Sequence, residues 1–230
     1  MRVVIQCAGS KKDGGYFVGA EGHQVKFVAH PDVAPASEQA RFKLVRPDDV
    51  AGADGNTWRQ LVVEYNRAAP QRGNPLRLWP AYELYEPAAY ASLVRRFGLE
   101  HVFILSAGWG LVRADYLLPN YDITFSAAAE PYKRRRRADG YQDLRQLSGV
   151  GAVTFLGGKD YLPQFRELSA GVEGERTIFF NSGVPPIAPG CTLRRYKSAA
   201  RTNWHYGCAE DLCAGRVSHE GPRPSSHPFS

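Results

Sequence analysis

Four short apolar runs punctuate the chain, and each ends in Gly, Ser or Asn. Val3-Val4-Ile5 leads into Cys7-Ala8-Gly9-Ser10, and Val102-Phe103-Ile104-Leu105 into Ser106-Ala107-Gly108-Trp109-Gly110. Val153-Thr154-Phe155-Leu156 leads into Gly157-Gly158, and Thr177-Ile178-Phe179-Phe180 into Asn181-Ser182-Gly183. An unbroken apolar run closed by a turn former reads as a strand buried on both faces. Repetition of that unit predicts a mostly parallel sheet.

Helical spacing fills the gaps. Over 57–69 the apolar residues Trp58, Leu61, Val62 and Tyr65 fall on one helical face, and Thr57 is placed to cap it. A second helix is expected over 81–97, split or kinked by Pro87 and ended by Gly98. Shorter helices are expected over 141–147, 161–168 and 204–213. Residues 14–50 read differently. The segment His23-Gln24-Val25-Lys26-Phe27-Val28 looks like an antiparallel strand in an otherwise loop-like stretch, an insertion after the first strand. The Ser-, Pro- and His-rich stretch 218–230 reads as a flexible C-terminal tail.

The chain has 230 residues, 43% hydrophobic and 23% charged, which fits one α/β domain over 1–217 and excludes disordered, collagen-like and coiled-coil classes. Four cysteines at this length do not make a disulfide scaffold. The opening MRVVIQC lacks the long apolar stretch of a signal peptide, and no run of about 18 apolar residues occurs. The expectation is a cytoplasmic protein with reduced thiols and no membrane contact. The net charge of +6 leans weakly toward a polyanionic partner.

In an open parallel sheet, ligands bind beyond the carboxyl ends of the strands. The four turns belong to that edge, so Cys7, Ser10, Lys11, Lys12, Ser106, Trp109, Gly157, Lys159, Tyr161, Asn181 and Ser182 should meet in one crevice. The CAGSKK turn offers backbone N–H groups, a hydroxyl and two cations to an anion, but lacks Walker spacing. Cys7 reads as a small buried residue or a nucleophile. Trp109, between Gly108 and Gly110, reads as an exposed stacking platform or as a core side chain under a tight turn. Asp122, just after Pro119-Asn120, reads as an acid–base group or as a turn residue bonding its own backbone.

CAGSKK together with ILSAGWGLV and LLPNYDITF resembles the signature of an uncharacterised bacterial domain family related to the YaaA peroxide-stress proteins. The two motifs cover about a seventh of the chain. Trp109 stands where relatives usually have Tyr, and Asp122 follows Tyr121 where YaaA proteins tend to have Arg. More widely the chain resembles α/β proteins of the uracil-DNA-glycosylase type, some of which look like phage-defence enzymes that remove modified bases. It lacks their G-Q-D-P-Y loop, so another carboxylate is needed: Asp122, with Asp160 in reserve.

The resemblance implies a DNA glycosylase that flips out a modified base and hydrolyses its N-glycosidic bond, leaving an abasic site. Asp122 would position water, Asn181 and Ser106 would bond the base, and Lys11 would stabilise its departure. Trp109 or Tyr121 would stack on the base, while Cys7, Gly9, Ser10, Gly108, Gly157, Tyr161 and Ser182 would line the site. Lys12, Lys133, Arg134, Arg135, Arg136, Arg137, Arg194, Arg195, Lys197, Arg201 and His205 would meet the DNA backbone. The alternatives are a non-catalytic YaaA-like DNA-binding stress protein and a nucleotide- or nucleoside-processing enzyme. No cofactor is expected. Cys208 and Cys213 near His205 lack zinc-site spacing, so no metal is expected either.

Overall fold

The computed structural model describes residues 1–19 and 22–218. Apart from Ser218, the expected tail over 218–230 lies outside them.

The described residues form thirteen strands and six α-helices. The strands are β1 (Arg2–Gln6), β2 (Phe17–Val18), β3 (Gln24–Val28), β4 (Lys43–Val45), β5 (Trp79–Pro80), β6 (Val102–Ser106) and β7 (Gly110–Arg113). They continue with β8 (Leu117–Leu118), β9 (Tyr121–Asp122), β10 (Leu144–Arg145), β11 (Val153–Leu156), β12 (Arg176–Phe180) and β13 (Thr192–Arg195). The helices are α1 (Ala36–Arg41), α2 (Trp58–Arg72), α3 (Ala81–Leu84), α4 (Ala89–Phe97), α5 (Leu162–Leu168) and α6 (Trp204–Cys213).

The molecule is α/β, with a mostly parallel seven-stranded sheet in the order β10-β7-β6-β1-β11-β12-β13. The four apolar runs form β1, β6, β11 and β12, side by side and parallel. Their central residues are buried because the sheet is covered on both faces. From β1 the chain first builds outward through β6, β7 and β10, then returns to β1's other side with β11. The strand order therefore reverses at β1, which opens a crevice beyond the carboxyl ends of β1 and β11.

The expected helix over 57–69 is α2. Its Thr57 hydroxyl accepts from the Gln60 N–H at 3.2 Å, and the Gln60 side chain accepts from the Thr57 N–H at 2.7 Å. The helix runs past Pro70 to Gly73. Pro87 does divide the next helix, into α3 and α4, and Gly98 ends it with φ of +88°.

The short helix expected over 141–147 is instead β10, paired with β7. Its N–H groups are claimed across the sheet: Leu144 donates to the Trp109 carbonyl and Gln146 to that of Leu111, both at 2.9 Å. The strand passes so close that a Cβ on Gly110 would lie 2.6 Å from the Leu144 backbone.

The described residues of 14–50 hold more regular structure than expected. They supply β2, β3, β4 and α1, and β3 pairs antiparallel with β2 but parallel with β4 and β9. This small sheet shares the main core: Phe27 meets Trp109 at 5.0 Å and Trp58 at 5.9 Å, edge to face. Among the described residues no helix is long and apolar enough to cross a membrane.

Candidate functional site

A cavity of about 660 Å³ opens where the carboxyl ends of β1, β11 and β12 meet. That is within the usual size of small-molecule sites. Phe155, Tyr161, Phe179, Trp204 and Tyr206 give it aromatic walls. Its polar lining comes from Gln6, Cys7, Thr124, Asp160, Asn181 and His205, with Lys159 and Arg201 as cations. The site is made by strand ends. Each buried strand must release its chain at a sheet edge, and the turn residues are small or polar. Gly157 is demanded by its neighbour, since a Cβ there would fall 2.4 Å from the Phe155 ring. Gly158 donates its N–H to the Gln6 side chain at 2.6 Å, which ties the β1 and β11 turns together.

Behind the cavity lies a buried polar cluster. The Cys7 thiol is 3.2 Å from the Tyr161 hydroxyl. The Ser106 hydroxyl donates to that of Tyr121 at 2.9 Å, and Tyr121 shares a hydrogen with Tyr85 at 2.7 Å. Burial pushes the Tyr85, Tyr121 and Tyr161 phenols well above their ordinary value, so they stay neutral. Lys11 caps the cluster, its ammonium 4.4 Å above the Tyr121 ring and 3.3 Å from the Gly9 carbonyl. Lys11 retains some exposed surface, yet the groups crowded around it strip water from the ammonium and lower its pKa. The Cys7 thiol and the Asp122 carboxylate oppose that shift.

The structure therefore brings Cys7, Gly9, Gly157, Lys159, Tyr161, Asn181 and Ser182 to one cavity. Other candidates lie elsewhere. Trp109 is not exposed on its loop: it is fully buried, under the Arg59 guanidinium and against Phe27. Tyr121 and Ser106 are buried too, with their hydroxyls spent on each other. Ser106 also accepts from the N–H groups of Gly108 and Trp109, which shapes the turn. The Asn181 amide is engaged by backbone, donating to the Ala200 carbonyl at 2.8 Å and accepting from the Ser198 N–H at 3.1 Å. It ties the end of β12 to the 198–200 segment. Ser10 is exposed beside the turn.

Asp122 is absent from the cavity lining. It is half-buried on β9, 3.0 Å from the Lys133 ammonium and 3.9 Å from that of Lys26. Asp160, by contrast, is an exposed carboxylate at the cavity itself.

The basic run does not present one cationic face. Lys133 is paired with Asp122 and with Glu130 at 2.7 Å. Arg135 is part-buried over the Tyr141 ring and bonds Asp143 and the Ala107 carbonyl. Arg134 donates to the Ala127 carbonyl. Arg136 and Arg137 remain exposed. Farther on, Arg194 donates to the Ser218 carbonyl, while Arg195, Lys197 and Arg201 are exposed. Lys12 lies over the Trp79 ring at 4.9 Å. His205 is not a surface cation: burial lowers its pKa to about 4 and keeps it neutral at pH 7.

Sequence reasoning missed Arg59. Its guanidinium is buried on α2, with Nε 2.6 Å from Asp48, and it donates to the Gly108 and Trp109 carbonyls at 3.0 and 3.1 Å. It adjoins Trp58 on a helix whose periodicity carries no sign of a partner 50 residues away. No group of three or more potential metal ligands occurs among the described residues. The chain matches no protein-family model, no curated protein and no solved structure.

Proposed function

We propose that the protein is a DNA glycosylase of uracil-DNA-glycosylase-like type, acting on a flipped, modified base, with anti-phage defence as its setting. The observation that carries the reading is the aromatic-walled cavity at the strand reversal, with a carboxylate, Asp160, in its lining. Aromatic faces suit a base taken out of the stack. Cleavage of the N-glycosidic bond leaves its electron pair on the base and an oxocarbenium-like sugar. Asp160 stabilises that cation and orients the water whose oxygen adds to C1′. The water's proton passes to the carboxylate and then to the base. Lys11, whose ammonium is 3.3 Å from the carbonyl of the cavity-lining Gly9, eases departure of the anionic base.

The test is incubation with unmodified, modified and hypermodified phage DNA, followed by alkaline strand cleavage at abasic sites. Wild-type protein should yield breaks on one of these substrates, and Asp160→Asn should lower the rate by about 10²-fold or more. No abasic sites on any of them would overturn the reading. A second reading, processing of free nucleotides, is favoured by the cavity's volume of about 660 Å³, within the usual size of small-molecule sites, and it predicts turnover of mononucleotides without polymer.

A further inference from the structure

A second groove, of about 620 Å³, runs along the flank of α5 and shares Lys159, Leu162 and Pro186 with the first cavity. Arg137, Lys159, Arg166 and Arg176 line it. The groove has one carboxylate, Glu167, and that is taken by Arg145 at 2.8 Å. None of the four lining cations has an ion-pair or side-chain hydrogen-bond partner among the described residues. Elsewhere the protein pairs its sheltered cations with care, as with Arg59, Lys133 and Arg135. The Arg176 Nε is shielded from water and makes no hydrogen bond. Pro186, Ile187 and Pro189 form part of the lining, in a segment where proline limits collapse onto the cations. Like charges gathered without counter-charges repel one another, and an anion between them would relieve that repulsion.

We infer that this groove binds the phosphate groups of a nucleotide or nucleic-acid chain whose base occupies the adjoining cavity. The inference rests on the nucleobase reading of that cavity. Guanidinium groups take phosphate oxygens in pairs, and Lys159 stands where the two spaces join, as a bridge between base and phosphate. Only Arg137 of the basic run belongs to it. Arg166 and Arg176 come from sequence positions with no adjacent basic residues.

The test is fluorescence anisotropy of a labelled single-stranded oligonucleotide, titrated at several salt concentrations, with inorganic pyrophosphate as competitor. The variant Arg137→Gln/Arg166→Gln removes exposed or part-exposed charge and should fold. Its affinity should fall about tenfold or more and its salt slope by about two. Arg96→Gln, on α4 away from the groove, is the control for net charge. Adding Arg176→Gln should weaken binding further. Competition by pyrophosphate at concentrations that match oligonucleotide affinity assigns the site to free nucleotide phosphates, and a much tighter oligonucleotide assigns it to a polymer backbone. Loss in the double variant no greater than in Arg96→Gln, or no binding of either anion by the wild type, overturns the inference. Base excision is scored separately by abasic-site assay. Absent excision with intact groove-dependent binding removes the glycosylase reading and leaves the phosphate site standing.

Discussion

Lys133 holds its ammonium 3.0 Å from the carboxylate of Asp122. The first cation of the basic run therefore neutralises the residue that the sequence offers as an acid–base group. The pair raises the Lys133 pKa through its bonds to Glu130 and Asp122, against the opposing effect of burial. Asp122 also faces Lys26, so it ties β9 to the 130s turn and to β3.

It follows that Asp122→Asn is a stability variant. It should cost about 1–2 kcal/mol, as expected for a half-buried charged pair reduced to a neutral hydrogen bond. The melting temperature should drop by about 2–8 °C for a domain of this size. Abasic-site formation should stay within about threefold of wild type. A large rate loss at unchanged melting temperature would return Asp122 to the chemistry.

Arg59 should be far less replaceable. Its guanidinium satisfies the Gly108 and Trp109 carbonyls and pairs with both oxygens of Asp48. Arg59→Met fills much of the space but strands a carboxylate and two carbonyls. Removing one member of a buried charged pair costs about 3–5 kcal/mol. The urea midpoint should shift accordingly, and the double variant Arg59→Met/Asp48→Asn should recover part of the loss. A shift below about 1 kcal/mol would mean that the pair is open to water.

Two glycines that look alike in sequence should behave oppositely. Gly110 has φ of +92°, and a Cβ there would lie 2.6 Å from the Leu144 N and O. Gly110→Ala should destabilise by more than about 2 kcal/mol, from left-handed strain and overpacking together. It should also expose the β10 amides to hydrogen exchange. Gly9 has open space where its Cβ would go. Gly9→Ala should leave the melting temperature unchanged and act only through the cavity that it lines.

These contrasts show what local sequence carries. The runs that became β1, β6, β11 and β12 were legible because a strand buried on both faces must be apolar throughout. The Thr57 cap and the Pro87 break were legible because their causes lie within four residues. β10 is not legible in the sequence, since only the partner strand β7 makes Leu144 and Arg145 a strand. The strand ends place Cys7, Gly157, Tyr161 and Asn181 along one cavity. Spacing cannot show which way a side chain turns at such an end, so Trp109 and Ser106 went into the core. Adjacency in sequence also misled. Arg135 and Lys133 found carboxylates of their own, while Arg166 and Arg176, ten positions apart, face a common groove.

His205 gives a pH signature that separates burial from surface charge. It is buried at the cavity wall, between Trp204 and Tyr206, and its Nε2 makes no hydrogen bond. Burial depresses its pKa from 6.5 to about 4. The unfolded chain therefore binds a proton that the folded chain refuses between those values. Stability is unaffected above about pH 7 and falls as pH drops through 6.5 toward 4. The total loss is about 3.5 kcal/mol, from roughly 1.4 kcal/mol for each unit of displacement. The carboxylates with lowered pKa, among them Glu38, Asp13 and Asp211, lose their contributions at and below their ordinary values of 4.5 and 3.8. The window from 6.5 to about 4.5 is thus dominated by His205. Urea unfolding across pH 4.5–7.5 should show the slope in wild type and its loss in His205→Gln, so that the wild type falls relative to the variant toward the acid end. An unchanged slope in the variant would mean that His205 is hydrated and titrates as a surface group does.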